Sequence, residues 1–318
     1  MHKNIFIIGN GFDLDLGLKT KYSDFANSSF WPDQDGERIP PLKSYLEAKR
    51  DSESWFDIEG ELLNYAQFEN KKRRGIVISK EPSSTSKLDM AYFGKLQVAL
   101  CSYIREQQSK SLSKESIAEK VLKSVWNNGY FNVIYSFNYT DLNSLANRLG
   151  LNAKINNVQH IHGKVIDNSI ILGVDETPLM PGYELLHKTM SPYYRSHDIF
   201  NDLSTAEEVV IFGLSFGKID YTYFDRFFQS QSRREPIEDK KKKHITIFTK
   251  DENSRIDIMK RFGELGINRQ NLYTQAKFQI IRTEDEEDKE LIENFCNRLN
   301  KNSKSAHNVA FMAMTSRF

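Results

Sequence analysis

Two cysteines, Cys101 and Cys296, are all that 318 residues contain. Neither a disulfide framework nor a zinc knuckle of paired thiolates can be assembled from them. The expectation is two reduced thiols in a cytoplasmic protein, with no metal site. Long apolar runs are also missing. Nothing approaches the ~18 residues that suggest a membrane-spanning helix. The stretch Ile5–Ile8 is too short for a signal peptide, and Asp13 and Asp15 follow it closely. Charge of one sign is missing as well: 44 Lys and Arg against 43 Asp and Glu leave +1. That balance gives no global footprint for nucleic acid, and no membrane partner is expected. What is abundant is core material. Hydrophobic residues are 39% of the chain, with 21 Phe and 14 Tyr, which excludes wholesale disorder. The length suits one large domain that can carry an inserted subdomain.

The pattern along the chain predicts an α/β fold. Asn4–Ile8 reads as a buried strand that ends in the turn Gly9-Asn10-Gly11. Further strand-like segments are Phe131–Phe137, Val158–His162, Ser169–Leu172, Glu208–Phe212, His244–Thr249 and Phe278–Arg282. Helical spacing runs through Tyr22–Phe25, Trp55–Phe68, Leu88–Ile104, Ser116–Trp126, Asp141–Leu149, Asp220–Gln229 and Asp251–Phe262. A last helix follows the acidic stretch Glu284–Asp288 and runs to about Leu299. Strands alternating with helices argue for a mostly parallel sheet. The expected organisation is one domain over residues 1–300, with a helical insertion at about 18–128, and a tail over 301–318. Such an insertion is too long for an ordinary crossover, so it should pack as a helical cap. The tail contains the apolar stretch Val309–Met314, and Lys240–Lys243 is a local basic run that reads as a solvated edge.

Five short motifs can carry chemistry. Gly9-Asn10-Gly11-Phe12-Asp13 follows the first strand, where glycine lets a backbone approach a phosphate and a helix N-terminus supplies N–H donors. It lacks the third glycine of the dinucleotide fingerprint, and an ordinary glycine turn is the alternative. Ser136-Phe-Asn138-Tyr-Thr140 ends a strand, where Asn138 can orient a water or a ribose hydroxyl or simply cap a turn. His160-Ile-His162-Gly163 offers two histidines on one side of a strand. No carboxylate or thiolate cluster completes a metal site, so His162 reads as a base and His160 as a structural group. Gly163 would clear space beside the His162 imidazole. Phe212-Gly213-Leu-Ser215, with Gly217 and Asp220 beyond, is a second strand end suited to phosphate or ribose. Trp55-Phe-Asp57-Ile-Glu59 places two acids near a helix start, where the helix dipole alone favours them.

Together, Ile7-Ile-Gly-Asn-Gly-Phe-Asp13, Trp55-Phe-Asp-Ile-Glu59, Ser136-Phe-Asn-Tyr-Thr140, His160-Ile-His-Gly163 and Gly213-Leu-Ser215 with Asp220 resemble the AbiH family of bacterial phage abortive-infection proteins. That pattern in turn looks like a divergent, Rossmann-like sirtuin domain. The resemblance implies an NAD-consuming defence effector. Asn138, His162 and Asp13 would be its catalytic residues. Gly9, Asn10, Gly11, Phe12, Gly163, Gly213, Ser215 and Asp220 would bind the nucleotide. Phe12-Asp13 stands where a sirtuin usually has a small residue and Ser, and Thr140 where an Asp is usual. Two cysteines cannot supply the four-cysteine zinc ribbon of sirtuin deacylases, so the resemblance points to NAD hydrolases.

Cleavage of the nicotinamide–ribose bond develops oxocarbenium character, as glycoside cleavage does. Asn138 would hold the water or a ribose hydroxyl. His162 would act as general base, typically contributing ~10²–10⁴-fold. Asp13 would stabilise positive charge or bind ribose. Two alternatives stay open: a nucleotide-binding sensor or regulatory subunit without turnover, and a metal-dependent nuclease effector using both histidines. A homo-oligomer or a partner protein of a defence system is a further expectation of the resemblance.

Overall fold

The computed structural model describes residues 3–300 except 34–37, 53–55, 68–70, 73, 76–80, 127–129, 152–156, 176, 218–219, 234–237 and 239–241. Trp55, Phe68, Lys240, Lys241 and the tail with Val309–Met314 therefore lie outside the described residues. Six strands form one sheet among the described residues: β1 (Lys3–Ile8), β2 (Val133–Ser136), β3 (Val158–His160), β4 (Ala206–Phe212), β5 (His244–Thr249) and β6 (Lys277–Arg282). All pairings are parallel and the spatial order is β3-β2-β1-β4-β5-β6. This is the doubly wound order that reverses between β1 and β4. The α/β sheet and the long helical segment after β1 are as the pattern predicts.

The strands read as unbroken apolar runs because both faces of the sheet are covered. Ile5, Ile7, Val133, Tyr135, Val209, Ile211, Ile245 and Ile247 share one core cluster. The helices Ile199–Thr205, Asp225–Arg233, Glu252–Glu264 and Arg269–Gln275 contribute to it. The alternate residues Phe6, Ile8, Ile134, Val210, Phe212 and Phe248 face a second cluster. Asn10–Asp15, Ile117–Trp126, Leu142–Arg148 and a helix over 289–300 cover that face. Two of the helices that sequence periodicity misses, Ile199–Thr205 and Arg269–Gln275, start at side-chain caps: Asp198 accepts the N–H of Asn201 at 3.2 Å and Asn268 that of Asn271 at 3.0 Å.

The chain divides into two compact units. The first contains the sheet and comprises residues 1–18, 111–161 and 197–318; the second comprises 19–110 and 162–196. The helix Ile117–Trp126, which falls inside the expected insertion of 18–128, belongs to the first unit. The second unit is built on the helices Tyr22–Ala26, Pro41–Ser52, Ile58–Ala66 and Ser84–Ser109, with short 3-10 turns between residues 165 and 190. At its centre the fully buried Asp89 accepts hydrogen bonds from the N–H of Leu42 and the hydroxyls of Tyr65 and Tyr183, at 2.9, 2.8 and 2.7 Å.

One expected strand is not a strand. Ser169–Leu172 is irregular, although Ile170, Ile171 and Leu172 are buried. The N–H of Ile171 donates to the carbonyl of His162 at 2.8 Å instead of joining a ladder. A short apolar run signals burial, and burial does not require a neighbouring strand. Among the described residues no helix is long and apolar enough to cross a membrane.

Candidate functional site

Parallel register brings the carboxyl ends of the central strands to one edge. Ile8 pairs with Ser136 and Phe212, Ser136 with His160, and Phe212 with Phe248. Gly9, Asn138 and Gly213 therefore emerge side by side, where open α/β sheets bind their ligands. The glycine segment departs from the expected turn. Gly9 is the extended N-cap of the helix Asn10–Asp15, so Gly11 lies inside the first helical turn. The N–H of Gly11 donates to the carbonyl of Gly213 at 2.8 Å, and that of Phe12 to the carbonyl of Gly9 at 2.9 Å. A Cβ on Gly213, whose φ is +68°, would lie 2.4 Å from the Phe12 nitrogen and 2.5 Å from Gly11 Cα. The glycines thus let two backbones pack directly against each other. Phe12 is a core residue and not a binding side chain: it is fully buried, edge-on to Phe6 and Phe212.

Beside this contact lies a buried polar trio. Asp13 is 1% exposed. Asn138 Nδ2 donates to Asp13 Oδ1 at 2.8 Å and to the carbonyl of Gly9 at 3.0 Å. Thr140 Oγ1 donates to Asp13 Oδ2 at 2.9 Å. Burial pushes the Asp13 carboxyl up from 3.8 to about 7, against the two side-chain hydrogen bonds that favour its ionised form. Both acceptors oppose Nδ2, which fixes the Asn138 amide orientation. Asn138 Oδ1 is then buried without a hydrogen-bond donor among the described residues. Such an acceptor calls for an explanation, because buried polar atoms are nearly always satisfied. Sequence reasoning passed over Thr140 as a site residue. Its signal was its place two residues after Asn138 in the same strand-end motif.

The loop after β4 presents Ser215 in an exposed position. The next residue, Phe216, is fully buried with φ +54°, an uncommon conformation for a bulky side chain. Its ring packs edge-on against Phe224, Phe228 and Phe262, and its carbonyl accepts from Arg261 Nε at 3.2 Å. Packing therefore holds the strained residue that aims the loop. Asp220 opens a 3-10 turn over Asp220–Tyr223 and is partly buried.

The remaining candidates are divided between the two units. His160 ends β3, with Nε2 3.7 Å from Asp141 Oδ1. Ile161 is the last residue of that segment of the first unit, and His162 begins a segment of the second. His162 is 4% exposed. Gly163 has φ +69°, and a Cβ there would lie 1.8 Å from the carbonyl oxygen of Ser169. The space it leaves is filled by backbone, which corrects the expectation of room for a ligand. Asp57 is the N-cap of the helix Ile58–Ala66. Glu59 is buried, 3.3 Å from the ammonium of the buried Lys188, and accepts the N–H of Gly173 at 3.1 Å. Both contacts lie within the second unit. Among the described residues no group of three or more His, Cys, Asp or Glu side chains is placed to hold a metal ion.

The family model described as bacteriophage abortive infection AbiH matches residues 5–237. No curated protein matches the chain.

Proposed function

The chain belongs to the AbiH family of bacteriophage abortive infection proteins, and from that premise we propose that it acts as an effector that binds NAD and hydrolyses its nicotinamide–ribose bond. The observation that carries this reading is the buried Oδ1 of Asn138 at the carboxyl edge of β2, which has no donor among the described residues. A ribose hydroxyl or the attacking water is the donor it fits. The two oxygens of Asp13 are engaged by Asn138 and Thr140, so Asp13 acts through Asn138 as a positioning residue. The acceptors at Asp13 Oδ1 and the Gly9 carbonyl hold Nδ2 of Asn138 and so fix which side of the amide its oxygen occupies. For the general base of such a hydrolysis the sequence nominates His162. The N–H groups of Gly11 and Phe12 are engaged by protein carbonyls, so phosphates would be held by the partly exposed Asn10 and the exposed Ser215.

The burial of His162, 4% exposed with Ser169 backbone filling the space beside Gly163, favours a second reading, a nucleotide sensor without turnover. One experiment separates the two: purified protein is incubated with NAD, with free nicotinamide and NAD binding both followed. Saturable binding with nicotinamide release, lost in Asn138→Ala, supports hydrolysis. Binding without release supports the sensor. Neither binding nor release overturns both.

A further inference from the structure

The second unit contains a small cationic pocket of about 220 Å³ lined by Tyr45, Lys49, Asn64, Tyr65, Lys71 and Arg74. We propose that it is a binding site for a terminal phosphate group. Tyr45 and Lys49 are four residues apart on the helix Pro41–Ser52 and so share a face. Asn64 and Tyr65 end the helix Ile58–Ala66, and Lys71 and Arg74 follow in sequence.

The two aromatic rings organise the charges. Their centroids lie 5.1 Å apart. The Lys71 ammonium sits 5.1 Å over the Tyr65 ring, and the Lys49 ammonium 5.9 Å over the Tyr45 ring. Neither hydroxyl competes for a ligand: Tyr45 donates to Glu61 at 2.5 Å and Tyr65 to Asp89 at 2.8 Å. The pocket thus holds two ammonium groups over aromatic faces, with the Arg74 guanidinium also in its lining.

Glu61 is the carboxylate beside them. It is buried and already accepts from Tyr45 and from Asn64 Nδ2, the latter at 3.1 Å, with Lys49 at 3.7 Å. Among the described residues Lys71 and Arg74 have no acidic partner within ion-pair distance, and Arg74 is exposed. Among the described residues, three cations face one engaged carboxylate, a surplus of two positive charges. A phosphate ester at the end of a chain carries close to two negative charges and several acceptor oxygens, which matches that surplus better than a single carboxylate. Two sources offer this chemistry: a free nucleoside triphosphate and a 5′-phosphorylated nucleic-acid strand. The proposal stands apart from the NAD reading and does not depend on it.

The test uses the full chain and a fluorescein-labelled, 5′-phosphorylated ten-nucleotide single strand, read by anisotropy. ATP is measured directly by calorimetry. Charge reversal in Lys71→Glu with Arg74→Glu should weaken binding at least about tenfold, which is the loss of one charge-assisted contact or more. The neutral pair Lys71→Gln with Arg74→Gln serves as a second variant, and melting temperatures report folding. Binding of the strand alone, of ATP alone, or of both supports the site and names the source. Absence of saturable binding of either probe overturns the proposal. So does wild-type affinity in both folded variants, or a strand without its 5′-phosphate binding as tightly as one with it.

Discussion

Replacing Asp13 by Asn should make the protein more stable near neutral pH and remove a titration from its function. The buried Asp13 carboxyl titrates near 7 and not at 3.8, because burial disfavours its charge. Between about pH 4 and pH 7 the folded state therefore binds a proton that the unfolded chain has released. Stability must fall as pH rises through that window, and level off above it. At roughly 1.4 kcal/mol per pH unit, the displacement from 3.8 to about 7 corresponds to about 4 kcal/mol. The side chain is 1% exposed, so solvent screens little of this. Asn is nearly isosteric and keeps both contacts: its oxygen accepts from Asn138 Nδ2, and its amide can donate to Thr140 Oγ1.

Thermal unfolding of wild type and Asp13→Asn, followed from pH 5 to pH 8.5, checks this. The curves should converge toward pH 5 and separate as pH rises, by roughly 10 °C at pH 8 for a unit of this size. Nicotinamide release by wild type should show an inflection near pH 7 that is absent in the variant. If the two melting profiles overlay across the range, Asp13 does not titrate there and the burial argument fails.

Gly213→Ala should cost about 3 kcal/mol or more, because its Cβ meets backbone at 2.4 Å on top of the left-handed conformation. Gly266→Ala is the control: its φ is also +68°, but nothing lies within 4 Å of its Cβ, so only about 1–2 kcal/mol is expected. Equal denaturation midpoints for the two variants would falsify the close-approach argument. Glu59→Ala leaves the Lys188 ammonium, 3% exposed, without its carboxylate and should cost about 3–5 kcal/mol; Lys188→Met added to it should restore part of the melting temperature, and an unchanged melting temperature in the single variant contradicts the ion-pair reading. His162→Ala should lower nicotinamide release by ~10²–10⁴-fold while NAD affinity holds, with a smaller loss in His160→Ala. Wild-type turnover in the His162 variant removes it from the mechanism.

The fold was legible wherever a signal is local. Ile5–Ile8, Val209–Phe212 and Ile245–Phe248 announce strands because both faces of the sheet demand apolar residues, so no alternation dilutes the run. Ile170–Leu172 carries the same signal without a partner strand, since apolarity encodes burial and leaves the pairing unsaid. Pro41 at the first position of the helix Pro41–Ser52 is a start signal carried by the sequence itself. At the candidate site the residue types were legible and their partners were not. Asn138 and Asp13 are separated by 125 positions and Glu59 and Lys188 by 129, and no spacing rule spans such distances. Division of the chain into interleaved units is equally silent in composition: residues 162–196 join the unit of 19–110 through contacts such as Glu59 with Gly173.

The glycines show how one motif can satisfy two accounts until the backbone is seen. A dinucleotide fingerprint uses its first two glycines to bring a phosphate close and its third to seat the helix on the sheet. Here the third position is occupied by Leu14. The helix Asn10–Asp15 is six residues long and is seated by large side chains, Phe12 against Phe6 and Phe212. It has no need of a third glycine. The first two are required for a different close approach, that of the β1 and β4 loops, closed by the hydrogen bond from Gly11 to Gly213. That contact occupies the reversal point between β1 and β4, where a doubly wound sheet ordinarily opens a crevice. The nucleotide proposed for this edge would therefore lie toward β2, where Asn138 Oδ1 has no hydrogen-bond donor among the described residues.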